Sequence, residues 1–218
     1  MLEKNLTHDY SFKIILIGHS GVGKTSILKK YVNKIFQDEY QCTLGVDYFI
    51  KKFEFLGQRI SLNIWDTADQ EKYRALNKSY YLGSDACFIV FDLTSYNSFK
   101  DLDEWYEDFC NNSEKDAKNN IVALGNKCDL INEKEINKED IDEFINKKNL
   151  KYFETSAKEG KNIDECFEYI IKKLITQFNM NNINNKNNLQ NSSYNKFFIN
   201  NKEKEKNISS NQDSNKCC

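Results

Sequence analysis

Eight consecutive residues, Gly18-His19-Ser20-Gly21-Val22-Gly23-Lys24-Thr25, hold three of the chain's eight glycines and fit the pattern G-x-x-x-x-G-K-[ST]. They follow the mostly apolar run Ser11 to Ile17 and precede Lys24 to Asn33, which has helical spacing. A glycine-rich turn joining a strand to a helix leaves few folds open. Without Cβ atoms, successive N–H groups can turn inward at the helix N-terminus, where they favour phosphate oxygens. In that arrangement Ser20, Gly21, Val22, Gly23, Lys24, Thr25 and Ser26 line the phosphates. Lys24 reaches the β and γ groups and the Thr25 hydroxyl ligates Mg2+.

The remaining pattern alternates strands with helices. Asp47 to Phe55 and Arg59 to Trp65 flank Leu56-Gly57-Gln58 and read as a hairpin, and Ala86 to Asp92, Asn120 to Gly125 and Leu150 to Glu154 read as later strands. Apolar character almost throughout the first two of these later strands suits burial on both faces. Helical spacing recurs over Ser98 to Cys110, Asn137 to Lys148 and Asn162 to Phe178, the last with Ile163, Phe167, Ile170, Ile171 and Leu174 in one stripe. The expectation is an α/β fold of the P-loop NTPase kind: a six-stranded, mainly parallel sheet with one antiparallel edge strand and helices on both faces. Its ligands would sit at the carboxyl ends of the strands. Near residue 178 the pattern gives way to an Asn-, Ser- and Lys-rich stretch too polar to offset its ordering entropy. The domain is therefore expected over 10–178 and a flexible tail over 179–218.

Composition excludes several classes. With 31 basic and 33 acidic residues the chain has no global basic surface for a nucleic-acid duplex. The longest purely apolar run, Ala86 to Phe91, falls far short of the ~20 residues of a membrane span. Residues 1–10 lack the apolar centre of a signal peptide, so the chain is expected on the cytosolic side. Cys42, Cys87, Cys110, Cys128 and Cys166 are scattered singly, with only His8 and His19 as imidazoles, which points to reduced core thiols rather than a zinc site. The Asn-x-Ser/Thr matches at Asn5, Asn77, Asn111, Asn191 and Asn207 are what an Asn-rich chain produces by chance.

Two further segments select a base. Asn126-Lys127-Cys128-Asp129, after the strand ending at Gly125, has the form N-K-x-D. A carboxylate at Asp129 accepts two hydrogen bonds from guanine N1–H and its 2-amino group, a donor pair that adenine lacks. After the next strand, Glu154-Thr155-Ser156-Ala157-Lys158 can offer a backbone N–H to guanine O6. Asp66, at the end of Ser61 to Trp65, is placed to hold Mg2+ through a water, and Thr43 is a second hydroxyl for the metal when a γ phosphate is bound. Gln70, four residues on, is placed to orient an attacking water.

Together these residues resemble Ras-superfamily small GTPases, and within them the Rab branch, over about residues 11–178. Thr43-Leu44-Gly45-Val46-Asp47-Tyr48 resembles the Rab first-switch signature, and Ser61 to Asp66, Lys72 to Leu76, Ser79 to Gly83 and Ile89 to Thr94 resemble further Rab segments. The resemblance implies a small G-domain and a GTP/GDP switch that regulates vesicle traffic. It places Phe36 on the guanine and makes Tyr48, Trp65 and Tyr80 an aromatic triad for effectors. It also implies geranylgeranyl groups on Cys217 and Cys218, although Lys216-Cys217-Cys218 is not a C-a-a-X sequence. Two lipids suffice for stable anchoring, and six tail lysines against three acidic residues, a net +3, add little. The implied partners are effectors, an exchange factor, a GTPase-activating protein, a GDP-dissociation inhibitor and the Rab prenylation machinery. The implied form is a monomer on the cytoplasmic face of an endomembrane (Golgi, endosome or vesicle) that cycles with cytosol.

One residue departs from the family. Rabs read W-D-T-A-G-Q-E where this chain reads Trp65-Asp66-Thr67-Ala68-Asp69-Gln70-Glu71. Asp69 keeps the backbone N–H that meets the γ phosphate but restricts the backbone and brings a carboxylate toward a polyanion, which costs on the order of kcal/mol even at an effective dielectric near ~20. Neither Arg59 nor Arg74 lies between Thr25 and Thr43, so hydrolysis is expected to be slow until a partner supplies an arginine, worth ~10³ to 10⁵-fold in this class. Two readings remain: a working switch, or a pseudo-GTPase that binds guanine nucleotide, switches poorly because of Asp69 and serves as a prenylated scaffold. A P-loop kinase is disfavoured, because it would need a cluster of lid arginines and no N-K-x-D loop.

Overall fold

Strands β4 (Ala86–Asp92) and β5 (Ile121–Asn126) are buried at every residue, as a sequence apolar up to the closing Asp92 and Asn126 requires. They are neighbouring interior strands of a six-stranded sheet in a computed structural model that describes residues 9–36, 46–67 and 79–182. With β1 (Tyr10–Ile17), β2 (Val46–Phe55), β3 (Gln58–Thr67) and β6 (Lys151–Glu154), the order is β2-β3-β1-β4-β5-β6. Among the described strands only the β2–β3 pair is antiparallel. The six-stranded mixed sheet of the sequence reading is therefore present.

Side-chain alternation along the strands sends two sets of residues to opposite faces. Ile15, Ile17, Cys87, Ile89 and Phe91 pack with Leu102, Trp105 and Phe109 of one helix and Ile141 of another. On the other face Phe88 meets Phe167, which stacks on Tyr31 with centroids 3.6 Å apart. Among the described residues up to Leu174 the α-helices are α1 (Lys24–Asn33), α2 (Tyr96–Lys100), α3 (Leu102–Asn112), α4 (Lys115–Lys118), α5 (Lys138–Lys148) and α6 (163–174). The chain divides into two units after Leu174, and of the second only 175–182, helical throughout, are described.

Three details differ from the sequence reading. The single helix expected over Ser98 to Cys110 is two, parted at Asp101. Ser98 Oγ accepts from the Asp92 N–H and donates to the Ser95 carbonyl, fastening α2 to the end of β4. Leu102, Trp105 and Phe109 meanwhile turn α3 onto the sheet, and one straight axis does not serve both attachments. The β2–β3 turn is Leu56-Gly57 alone, both at positive φ (51° and 74°), and Gln58 already pairs with Phe55. Asn162, at φ 56°, precedes α6 and donates through its side chain to the Glu154 carbonyl at 2.7 Å.

Among the described residues no helix is long and apolar enough to cross a membrane. Cys87, Cys110, Cys128 and Cys166 are free thiols, three of them buried.

Candidate functional site

The turn from β1 to α1 is shaped by contacts far away in sequence. Gly18 sits at φ 140°, and a Cβ there would lie 2.1 Å from the Val90 carbonyl oxygen of β4. Gly23, at φ 97°, would place one 2.4 Å from Asn126 Nδ2. Both glycines are thus required by backbone conformation and by a close neighbour. Lys24 opens α1, is 4% exposed, and its ammonium donates to the Gly18 and His19 carbonyls at 2.9 and 3.1 Å. It spans the loop from inside. His19 lies on the outer side, half exposed, with Nε2 3.9 Å from Asp101 Oδ2.

Beside this loop Thr25 Oγ1 donates to Asp66 Oδ2 at 2.5 Å. Asp66 is fully buried, and its Oδ1 has no hydrogen-bond partner. The strand runs on to Thr67 instead of ending at Asp66, and the Thr67 hydroxyl donates to the Leu16 carbonyl at 2.8 Å. Burial pushes the Asp66 carboxyl up to about 6, against the Thr25 hydrogen bond and the Lys24 charge, and Asp47 adds to the rise. Two hard oxygens in contact, one on a carboxylate with an orphaned second oxygen, are the donor set Mg2+ takes. The residues present fit that ion.

Asn126, at the end of β5 and 1% exposed, ties the site together. Its Nδ2 donates to the Val22 carbonyl at 2.8 Å, and its Oδ1 accepts from Thr155 Oγ1 at 3.3 Å and the Ala157 N–H at 3.2 Å. The phosphate-loop candidate and the loop after β6 are therefore held by one side chain. Lys127 takes φ 63° and pairs with Asp92 Oδ2 at 2.6 Å. Asp129 is half-buried on the same turn, whose Cys128 N–H donates to the Thr155 carbonyl at 3.1 Å. Ser156 and Ala157 are buried, while Lys158 is exposed and its carbonyl accepts from Lys30. Phe36 is half-buried just beyond α1, and Ser20, Gly21 and Ser26 are half-buried along the turn.

The expected aromatic triad is contiguous. Tyr48 meets Trp65 edge to face at 5.2 Å, and Trp65 lies 5.6 Å from Tyr80. A polar row crosses three strands beside it: Tyr48 donates to Asn63 Oδ1 at 2.6 Å, and Asn63 donates to Ser11 Oγ at 3.1 Å. Thr43, Asp69, Gln70, Cys217 and Cys218 lie outside the described residues. Sequence reasoning passed over two residues here. Asp92, the partner of Lys127, gave no signal of its own; Lys13, whose ammonium lies 4.7 Å from the Trp65 ring centroid, is the one charge inside an otherwise apolar run.

A mainly parallel sheet whose first strand feeds this turn, with base-loop candidates at the ends of β5 and β6, defines a P-loop NTPase of the G-domain kind. Comparison with known proteins carries the assignment further. A sequence model of the Ras family matches residues 13–176. Ras-related protein Rab7 of Cenchrus ciliaris is 39% identical over 168 residues, covering 75% of this chain and 82% of that protein. Ras-related protein Rab-30 of Homo sapiens is 36% identical over 180 residues, covering 82% and 87%. Rab7 of Pisum sativum is 40% identical over 165 residues, covering 73% and 80%. The chain belongs to the Ras family of small GTPases and is of the Rab type.

Proposed function

We propose that the chain binds GTP and GDP with Mg2+ and acts as a switch in vesicle-mediated membrane traffic. The observation that carries this reading is Asn126, because a side chain bonded to both Val22 and Ala157 joins a phosphate cradle to a base-recognition loop. Backbone N–H groups of 20–25 and the Lys24 ammonium hold the phosphates. Thr25, Thr43 and, through water, Asp66 hold Mg2+, which neutralises charge that develops on the phosphates. Asp129 takes the guanine N1–H and 2-amino group, the 156–158 loop gives a backbone N–H to O6, and Phe36 packs on the base. Gln70 orients the attacking water. Tyr48, Trp65 and Tyr80 receive effectors, and Cys217 and Cys218 carry the lipids that hold the chain on the cytoplasmic face of an endomembrane.

A second reading rests on Asp69. With its carboxylate near the third phosphate the chain would hold GDP and discriminate against GTP, acting as a prenylated scaffold. Single-turnover hydrolysis and GTP and GDP dissociation constants, measured on the full chain beside Asp69→Gly, separate the two. Equal affinities with slow hydrolysis in both proteins support the switch. GTP binding restored only by glycine supports the scaffold, and absence of guanine-nucleotide binding in both refutes either.

A further inference from the structure

Lys13 stands in β1 between β3 and β4 and makes four contacts there. Its ammonium donates to the Leu82 carbonyl at 2.7 Å and lies 4.7 Å from the Trp65 ring centroid. Its N–H donates to Asp85 Oδ2 at 2.7 Å, and its carbonyl accepts from the Asp85 N–H at 2.8 Å. Half burial pulls the ammonium below its ordinary value, and Asp85 pulls it back up.

These contacts matter because of what lies on either side of them. Upstream, Asp66 of the metal-site candidate is followed by Thr67, which is fastened to β1 at Leu16. Downstream, the turn after helical residues 79–81 is fastened to β1 at Lys13, through Leu82 and Asp85. The downstream fastening is shared with the aromatic surface, since the same ammonium covers the ring that touches both Tyr48 and Tyr80. A cation is drawn to a carbonyl at a helix C-terminus and to an indole face alike. Here both attractions require it in one place, so the position of the Leu82 turn sets the cover on Trp65.

We propose that Lys13 is a positioning residue that couples the Leu82 turn to the Tyr48, Trp65 and Tyr80 surface, and so carries the nucleotide state to the face that partners meet. The inference rests on the nucleotide-switch reading for its second half. Acrylamide quenching of tryptophan fluorescence tests it on the full chain. Trp65 is half-buried and open to the quencher, whereas Trp105 is 3% exposed and contributes a constant background.

The wild type, Lys13→Met and Lys13→Arg are each loaded with GDP or a non-hydrolysable GTP analogue, and binding is verified with a fluorescent GDP. The wild type and the arginine variant are expected to show the same difference in quenching between nucleotides. Lys13→Met is expected to raise the quenching constant about twofold, as the ring loses the covering stem and charge, and to abolish that difference. Lys13→Gln, which keeps a donor for Leu82 without the charge, replaces the methionine variant if the latter does not fold.

A merely structural role would lower melting temperature and leave the nucleotide difference in place, and that result overturns the proposal. So does a wild type that binds both nucleotides with identical quenching. If the fluorescent GDP does not bind, it is the nucleotide reading that fails. In that event quenching of the nucleotide-free variants still decides whether Lys13 covers Trp65, and equal values for methionine and arginine overturn the contact itself.

Discussion

Replacing Asn126 with alanine removes the tie between the two halves of the candidate site. The side chain is 1% exposed, so the Val22 carbonyl and the Ala157 N–H lose a partner where water does not readily replace it. Each buried polar group left unpaired costs about 1–3 kcal/mol. Partial relaxation of two loops keeps the sum near the lower end, about 2–4 kcal/mol, which is roughly 30- to 1,000-fold in GDP affinity at a tenfold change per 1.4 kcal/mol. Dissociation of a fluorescent GDP analogue, followed by stopped flow alongside urea unfolding of the same protein, separates loss of binding from loss of stability. Gly23 supplies an internal control. A Cβ there would meet Asn126 Nδ2 at 2.4 Å, so Gly23→Ala should cost less in the Asn126→Ala background than in the wild type. An Asn126→Ala chain that binds GDP within about threefold of wild type would refute the argument that this side chain assembles the site.

Two further outcomes follow from the same geometry. Gly18→Ala forces a Cβ to within 2.1 Å of the Val90 carbonyl oxygen at a φ of 140°, so β1 and β4 must part, and the melting temperature should fall by about 10 °C or more; a melt within about 3 °C of wild type refutes it. For Asp66, raised to about 6 from an ordinary 3.8, the folded chain binds a proton that the unfolded chain does not hold between those two values. Stability of the Mg2+-free chain therefore rises as pH falls through that window, by on the order of 3 kcal/mol, and the contribution is lost above it. Urea unfolding in chelator at about pH 5 and about pH 7, wild type against Asp66→Asn, checks the sign. Bound Mg2+ needs the carboxylate and should reverse the trend.

Strands β4 and β5 and the glycine turn were legible because each is written locally, as an almost wholly apolar run or as a fixed spacing. The break at Asp101 was not, since apolar spacing runs on through Phe99, Leu102, Trp105 and Phe109, and what parts the helices is the fastening of Ser98 to the end of β4. Lys115–Lys118 is too short for any periodicity to reveal. At the site, residue types were readable and the joints between them were not. Asn126 stood out as part of N-K-x-D, but nothing in its neighbourhood indicates that its amide reaches back 104 positions to Val22.

The two glycines show why spacing and contact carry the same information. A local reading makes Gly18 and Gly23 a turn with free backbone, yet backbone freedom would be served by several positions in the loop. What fixes these two is that β4 and β5 arrive beside them, one with the Val90 carbonyl and the other with the Asn126 amide, at distances no Cβ tolerates. The sheet order that sets β4 next to β1, and β5 next to β4, is thus a condition for the motif as well as a consequence of the hydrophobic pattern. The pattern in the first 25 residues is intelligible only with the strands that close on it, Val90 lying 72 positions after Gly18 and Asn126 lying 103 after Gly23. A chain carrying the same eight residues between a strand and a helix, but without β4 and β5 in these places, would have the turn and no cradle.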